Sequence, residues 1–355
     1  MSWRWIALAL TLGTSTALAQ QPAAVPDQPN WPLSDPGEAW NSSTVTPIEE
    51  NASGSGNGFL TGNHDFRNFI NFISNPLTSI DPRAVTAIYP LFGQEWISNA
   101  SPIPNGEAQV YGPAITIALS DRFAAGINQG GIADANFSAN PIQRQRIIQD
   151  ERLQELLSAR VAARVGSLDF SGDRFGFLNL GGFFQYTVIE NVQSQFLLTV
   201  GLRWEAPCGS HELFQGYGPA ELSPYFTVGK EFGNYHVLFT TGYEFPVGAG
   251  NDTLNVYYAN IHFDRRCFGW LYPLVEINSN FLTSGRSVDF GLDTRRGFID
   301  FGDFEATGNV VTLAAGANAV IVPEHLEFGL VYTTTIATQR DLEANGIIAK
   351  MTIRY

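Results

Sequence analysis

From residue 83 to its end the chain is a succession of segments in which apolar and polar residues alternate with a period of two. In residues 193–205, Phe196, Leu198, Val200, Leu202 and Trp204 share one face, and Gln195, Thr199, Gly201, Arg203 and Glu205 share the other. In 234–246, Val237, Phe239, Tyr243 and Phe245 oppose His236, Thr240, Gly242 and Glu244. The last segment ends the chain, with Ile347, Ala349, Met351, Ile353 and Tyr355 on the oily face and Ile348, Lys350, Thr352 and Arg354 on the other. This period belongs to a β-strand whose two faces meet different surroundings. Twelve segments are predicted: 84–96, 107–119, 122–132, 176–189, 193–205, 222–232, 234–246, 253–264, 269–281, 309–321, 324–336 and 345–355. The sixth carries Lys230 on its oily face, which marks a bulge or a rim position.

The connections carry a second pattern. Ser120-Asp121, Glu190–Val192, Gly233, Arg265–Phe268 and Val322-Pro323 are short. They alternate with mostly longer stretches at 97–106, 133–175, 206–221, 247–252, 282–308 and 337–344. Short turns at one end and long loops at the other are how transmembrane β-barrels are built. The expected fold is therefore all-β: a single-chain antiparallel transmembrane β-barrel of twelve strands over 83–355.

Composition agrees. Charged residues make up 15% and aromatics 13%, and the mean hydropathy is −0.03, because a barrel spreads its hydrophobicity over alternate residues. After residue 12 no apolar run reaches the 18 residues of a membrane helix. A net charge of −14 argues against nucleic acid as a partner. Cys208 and Cys267 are too few for a disulfide framework. They are expected at opposite ends of the barrel, ~25 Å apart and out of bonding reach.

The N-terminus reads as a secretory signal peptide. Arg4 precedes the apolar stretch Ile6–Leu12, and Ala17-Leu18-Ala19 supplies small residues for cleavage after Ala19. Residues 20–60, rich in Pro, Ser, Asn and Gly, read as a disordered periplasmic lead. Residues 61–82 form an entry segment. Within it Phe66, Phe69, Ile70 and Ile73 recur at helical spacing up to Pro76, which predicts a short amphipathic helix over 64–74. Such a helix plugs the barrel, closes its periplasmic mouth or lies on the membrane, and packing against the barrel is the favoured reading. A second helix is predicted at 143–163 in the third outer connection, where Ile147, Ile148, Leu153, Leu156, Leu157 and Val161 are interleaved with arginines. It constricts the mouth or sits over outer-leaflet lipopolysaccharide.

Strand parity assigns a lumen-facing set: Asn179, Gln185, Gln195, Thr199, Arg203, Glu231, His236, Glu244, Tyr258, Asn260, His262, Glu276, Asn278, Glu327, Lys350 and Arg354. It is polar and mixed in sign, which suits a weakly selective channel or an interior closed by ion pairs. A register with Pro246 opposite Asp252 places His236 opposite His262, with Asp264 nearby. The pair reads as hydrogen-bonded polar residues rather than a metal site, since two such ligands are rarely enough. No HExxH, GxSxG or CxxC occurs. His211, with Glu205, Glu212 and Glu221 near it, is the thin basis for an enzyme reading, and no catalytic residue is assigned. A passive channel for small solutes is expected, with no cofactor. The rivals are a plugged structural or adhesive barrel without conductance and a barrel enzyme.

The final strand, with Ile347, Met351, Ile353 and terminal Tyr355, resembles the C-terminal signal by which outer-membrane barrels are recognised for insertion. Further stretches resemble a family of planctomycete-type predicted outer-membrane barrel transporters, related to the phenol-degradation (MetA-pathway) transporter family. They are Phe72–Pro76, Asp81–Ala84, Ala118–Arg122, Asn191–Gly201, Phe214–Gly216 and Ser223–Gly233. The resemblance implies an outer-membrane barrel that passes small organic molecules, with no catalytic residues. Its expected partners are outer-membrane lipid and lipopolysaccharide, the barrel-assembly machinery and the solute.

Overall fold

A computed structural model describes residues 59–98, 106–137, 172–213, 215–216, 219–248, 255–284, 309–339 and 343–355. The expected signal peptide, nearly all of the lead and the helix expected at 143–163 lie outside these residues.

The strands are β1 (Ala87–Ile97), β2 (Gly106–Ala118), β3 (Phe123–Gln129), β4 (Ile132–Phe137), β5 (Gly172–Phe177), β6 (Leu180–Asn191), β7 (Phe196–Ala206), β8 (Ala220–Phe232), β9 (Tyr235–Val247), β10 (Asn255–Arg265), β11 (Leu271–Ser284), β12 (Asn309–Val322), β13 (Leu326–Gln339) and β14 (Ala344–Arg354). Twelve close an antiparallel ring. β2 follows β1, β3 follows β2, β6 follows β3, and β6 to β14 run in sequence back to β1. The closing seam is long, from Ala87 opposite Arg354 to Ile97 opposite Ala344.

The two remaining strands continue the predicted third and fourth strands past a break in each. β3 pairs with β2 over 115–118, the chain bends at Gly130-Gly131, and β4 pairs with β2 over 106–111. Gly131 has a φ of 128°, and a Cβ there would collide with the Tyr111 carbonyl, so only glycine fits the bend. β5 likewise leads into β6 across Leu178 and Asn179. It pairs with β4, while β6 pairs with β3 and β7.

Alternation becomes inside and outside. In β10, Val256, Tyr258, Asn260, His262 and Asp264 point inward and are buried, whereas Tyr257, Ile261 and Phe263 are exposed on the outer wall. Tyr243, Tyr257 and Phe281 form an aromatic row near the loop end of β9–β11, with Tyr257 and Phe281 stacked at 6.4 Å. Tyr235 and Phe263 stack at 5.8 Å near the turn end, under the Arg265 guanidinium. Eight residues separate Tyr235 from Tyr243, ~26 Å along a strand. On these three strands, aromatic rows at both ends of an apolar band of that height match a bilayer's hydrocarbon core. Lys230 sits at the turn-end rim, over the Phe232 ring.

Residues 64–74 are not helical. They pass through turns and irregular backbone, yet Phe66, Phe69, Phe72 and Ile73 are all fully buried. The helical spacing of these side chains reflects burial on several sides of an irregular segment, not one stripe of a helix.

Candidate functional site: a plugged lumen

Residues 61–85 run into the barrel from the turn end and occupy its interior. Gly62 forms a bridge with Val85, and the Asn63 amide donates to the Ala84 carbonyl at 2.7 Å, so the segment enters and leaves side by side. Arg67 pairs with Glu324 at the turn-end mouth, and Arg266 donates to the Asn68 side chain at 2.6 Å. Between these points the chain rises into the barrel and returns to β1.

The inner wall is shaped to receive this plug. Phe66, Phe69 and Phe72 cluster with the inward leucines Leu197 and Leu238. Ile73 packs on Leu274, Ala314, Val331 and Ile348, and Ile80 on Phe183, Tyr225 and Tyr258. At Gly329 the wall is hollowed. A Cβ there would lie 3.0 Å from Ile73 Cγ1 and closer still to its Cδ1.

Polar wall residues bind the plug backbone. Glu276 accepts from the Ile73 and Ser74 amides at 2.9 and 2.7 Å, and also from the Ser74 hydroxyl. Lys350 donates to the Phe72 carbonyl. Asn128 donates to the Leu77 carbonyl at 2.5 Å, and Gln185 to the Asp81 carbonyl at 2.8 Å. Asn260 donates to the hydroxyls of Thr78 and Ser79, both at 2.8 Å. Asn278 donates to the Ser74 hydroxyl at 2.8 Å. One cavity between plug and wall, bordered by Asn71, Asp81, Tyr89, Asn128 and Lys350, measures about 20 Å³, room for about one water.

Charged groups complete the interior. Asp81 and Arg83 form a bidentate pair inside the plug at 2.9 and 2.6 Å, both almost fully buried. Burial alone would raise the Asp81 carboxyl, but the Arg83 guanidinium overcomes this and holds it below its ordinary value. Nearer the loop end, Arg203 donates to Glu244 at 2.8 Å, Glu205 at 2.9 Å and Gln129 at 2.5 Å. Arg354 pairs with Glu327 near the closing seam.

Of the sixteen residues assigned to the lumen, Asn179, Gln185, Thr199, Arg203, His236, Glu244, Tyr258, Asn260, His262, Glu276, Asn278, Glu327, Lys350 and Arg354 are buried, while Gln195, in the β6–β7 turn, and Glu231 are half-buried. The register differs from the expected one by two residues. His236 lies opposite Asp264 and His262 opposite Leu238, so the imidazoles bracket a carboxylate instead of facing each other. His211 is exposed in a 3-10 turn, while Glu205 is turned to Arg203 and Asn179. Cys208 and Cys267 are free, one in the loop after β7 and one in the β10–β11 turn. Ile347, Met351, Ile353 and Tyr355 face outward at the seam.

The sequence reasoning missed the loop after β7. Its Gln215 and Leu213 are fully buried, and the Asn179 side chain accepts from the Gly209 and Gly216 amides at 3.0 and 2.9 Å. Here loop residues replace the ladder that β5, having left β7, does not make.

No protein-family model matches the chain, and no curated protein matches it in sequence. Among solved structures, it is similar to the COG4313 outer membrane channel from Pseudomonas putida F1. The TM-score is 0.50 at 9% identity, over 76% of this chain and 96% of that one. The NanC porin gives a TM-score of 0.43 at 7% identity, over 75% of this chain and 100% of that one. The CymD monoaromatic hydrocarbon channel gives 0.38 at 9%, over 84% and 98%. At 9% identity the likeness to the first of these is one of fold, an outer-membrane β-barrel.

Proposed function

We propose that the chain is an outer-membrane channel for the passive passage of small solutes, closed in this conformation by its own residues 61–85. The turn end then faces the periplasm and the loop end the exterior. The supporting observation is that the lumen is filled by one segment continuous with β1, held largely through polar wall residues. Desolvating so many polar groups is a costly way to fill a permanently solid core, where apolar side chains serve as well or better. With the plug out, the lining is the polar, mixed-sign set headed by Arg203, His262, Glu276 and Lys350. Small organic solutes are the proposed class, which is what the resemblance of stretches such as Asn191–Gly201 to a family related to the phenol-degradation transporters implies.

A second reading, a permanently plugged structural barrel, is favoured by the closeness of the fit, with Phe66, Phe69, Phe72 and Ile73 fully buried against the wall. A reversible lock separates the two. Ile73→Cys with Gly329→Cys, in a Cys208→Ser and Cys267→Ser background, brings two Cβ atoms within disulfide range, because Ile73 Cγ1 lies 3.0 Å from the Cβ position. In planar bilayers the reduced protein is expected to show openings that oxidation abolishes. Silence in both states, with conductance only after deletion of 64–80, would favour the structural reading.

Assembly supplies a further prediction. The Tyr355 amide donates to the Thr86 carbonyl at 3.1 Å, and its ring is exposed at the seam. Deleting Tyr355 is expected to lower the folded, heat-modifiable fraction in outer membranes several-fold. Normal assembly of the deletion would remove the recognition role assigned to this residue.

A further inference from the structure

Five titratable side chains form a line along the inner wall beside the plug. Glu231 lies near His236 Nε2, at 3.7 Å. His236 Nδ1 meets Asp264 at 2.6 Å, and the other Asp264 oxygen meets His262 Nε2 at 2.9 Å. His262 Nδ1 meets Glu276 at 2.7 Å, and Glu276 holds the plug at Ile73 and Ser74. The plug covers the line: Phe69 packs on the His236 ring at 5.6 Å and Phe72 on His262 at 5.4 Å. His236, His262, Asp264 and Glu276 are sealed from solvent, and only the Glu231 side chain reaches water, at 13% exposure.

The proton count follows from the geometry. Both nitrogens of His262 face carboxylate oxygens at hydrogen-bond distance, and only an imidazolium has two N–H donors. The surroundings agree. Asp264 and Glu276 put two carboxylates on the one His262 ring, and Lys350 lies near Glu276. Tyr272, 5.9 Å from His236, is the phenol at this cluster. Arg266 stands at the mouth on Asn68. The Asp81–Arg83 and Arg354–Glu327 pairs neutralise themselves.

We infer that the Glu231–His236–Asp264–His262–Glu276 line is a proton-operated latch on the plug, an inference that rests on reading residues 61–85 as a removable gate. With His262 doubly protonated, Glu276 is fixed in the position that binds Ile73 and Ser74. When the ring loses one proton, one of its two bonds becomes a lone pair facing a carboxylate. Glu276 or Asp264 must then move, and the plug loses its anchor. The stabilisation is present at lower pH and is lost as pH rises, with at most about a tenfold change in the seating equilibrium per pH unit for a single proton.

The test reads plug seating directly. In the full chain carrying Ser79→Cys and Cys267→Ser, labelling of the buried thiol at position 79 is compared with labelling of exposed Cys208, which corrects for thiolate formation. From about pH 6 to about pH 10 the ratio is expected to rise by up to about tenfold per unit while the proton is lost. Asp264→Asn leaves Glu276 as the one carboxylate on His262, so a neutral ring still serves it, and the rise is expected to disappear. His262→Gln, which cannot titrate, is expected to flatten it too. A flat ratio in the parent overturns the latch, as does an equal rise in the parent and in either variant that folds. The readout needs no conductance, so a barrel that stays silent with its plug deleted would overturn the channel reading and leave this result standing.

Discussion

Glu276→Ala is expected to free the plug. The substitution leaves two buried plug amides, the Ser74 hydroxyl and one His262 nitrogen without their shared acceptor. Breaking a buried charged pair from one side typically costs about 3–5 kcal/mol. Arg83 lies almost fully buried inside the plug, so trypsin cleavage after it reports opening of the segment in an otherwise folded barrel. Cleavage should accelerate by at least about a hundredfold, in step with the population of the open form. Glu276→Gln keeps an acceptor for the amides and should lose less. An unchanged cleavage rate in Glu276→Ala would show that apolar sockets alone hold the plug.

Arg83→Met should be comparably severe for the complementary reason. It strands the Asp81 carboxylate in a dry site and removes the donor to the Phe66 carbonyl, 3.0 Å away. The expected loss is again about 3–5 kcal/mol, read as faster labelling of a thiol placed at position 79. Adding Asp81→Leu removes the stranded charge and should recover most of it, because apolar replacement of a whole buried pair is often neutral. A double variant as labile as the single one would argue that the carboxylate is not the source of the loss. The pH sign follows from the depressed Asp81 carboxyl. Its contribution is complete above the ordinary carboxylate range and is lost only as the pH falls through the lowered value.

The strands were legible because a lipid-facing wall imposes its period on every residue. Phe196 to Trp204 and Tyr257 to Phe263 announce their faces without tertiary information. The Gly130-Gly131 break carries a local signal, two adjacent glycines, but its partner at Leu178-Asn179 carries none, since that break is set by the loop after β7. Parity gave the inward direction of His236 and His262, but not their relative height. Height depends on how the β9–β10 connection spends its residues, and alternation is blind to a shift of two. The 64–74 segment was misread because spacings of three and four residues also arise when turns bury side chains on several sides. Asn63, Asn68, Asn71 and Asn75, interleaved with its apolar residues, were the available sign of turns.

The distances along the chain that the plug must bridge have a consequence for biogenesis. Ile73 meets Glu276 across 203 positions, and Phe72 meets Lys350 across 278. Lys350 lies on the strand that completes the ring, so the plug's seat is incomplete until the last hairpin is in place. Contacts of such separation form late, since loop closure precedes their reward. Seating is therefore expected to follow closure of the ring. A barrel halted one strand short would present Phe66, Phe69 and Phe72 to water, and quality-control proteases would find the defect at the N-terminus although the fault lies at the C-terminus.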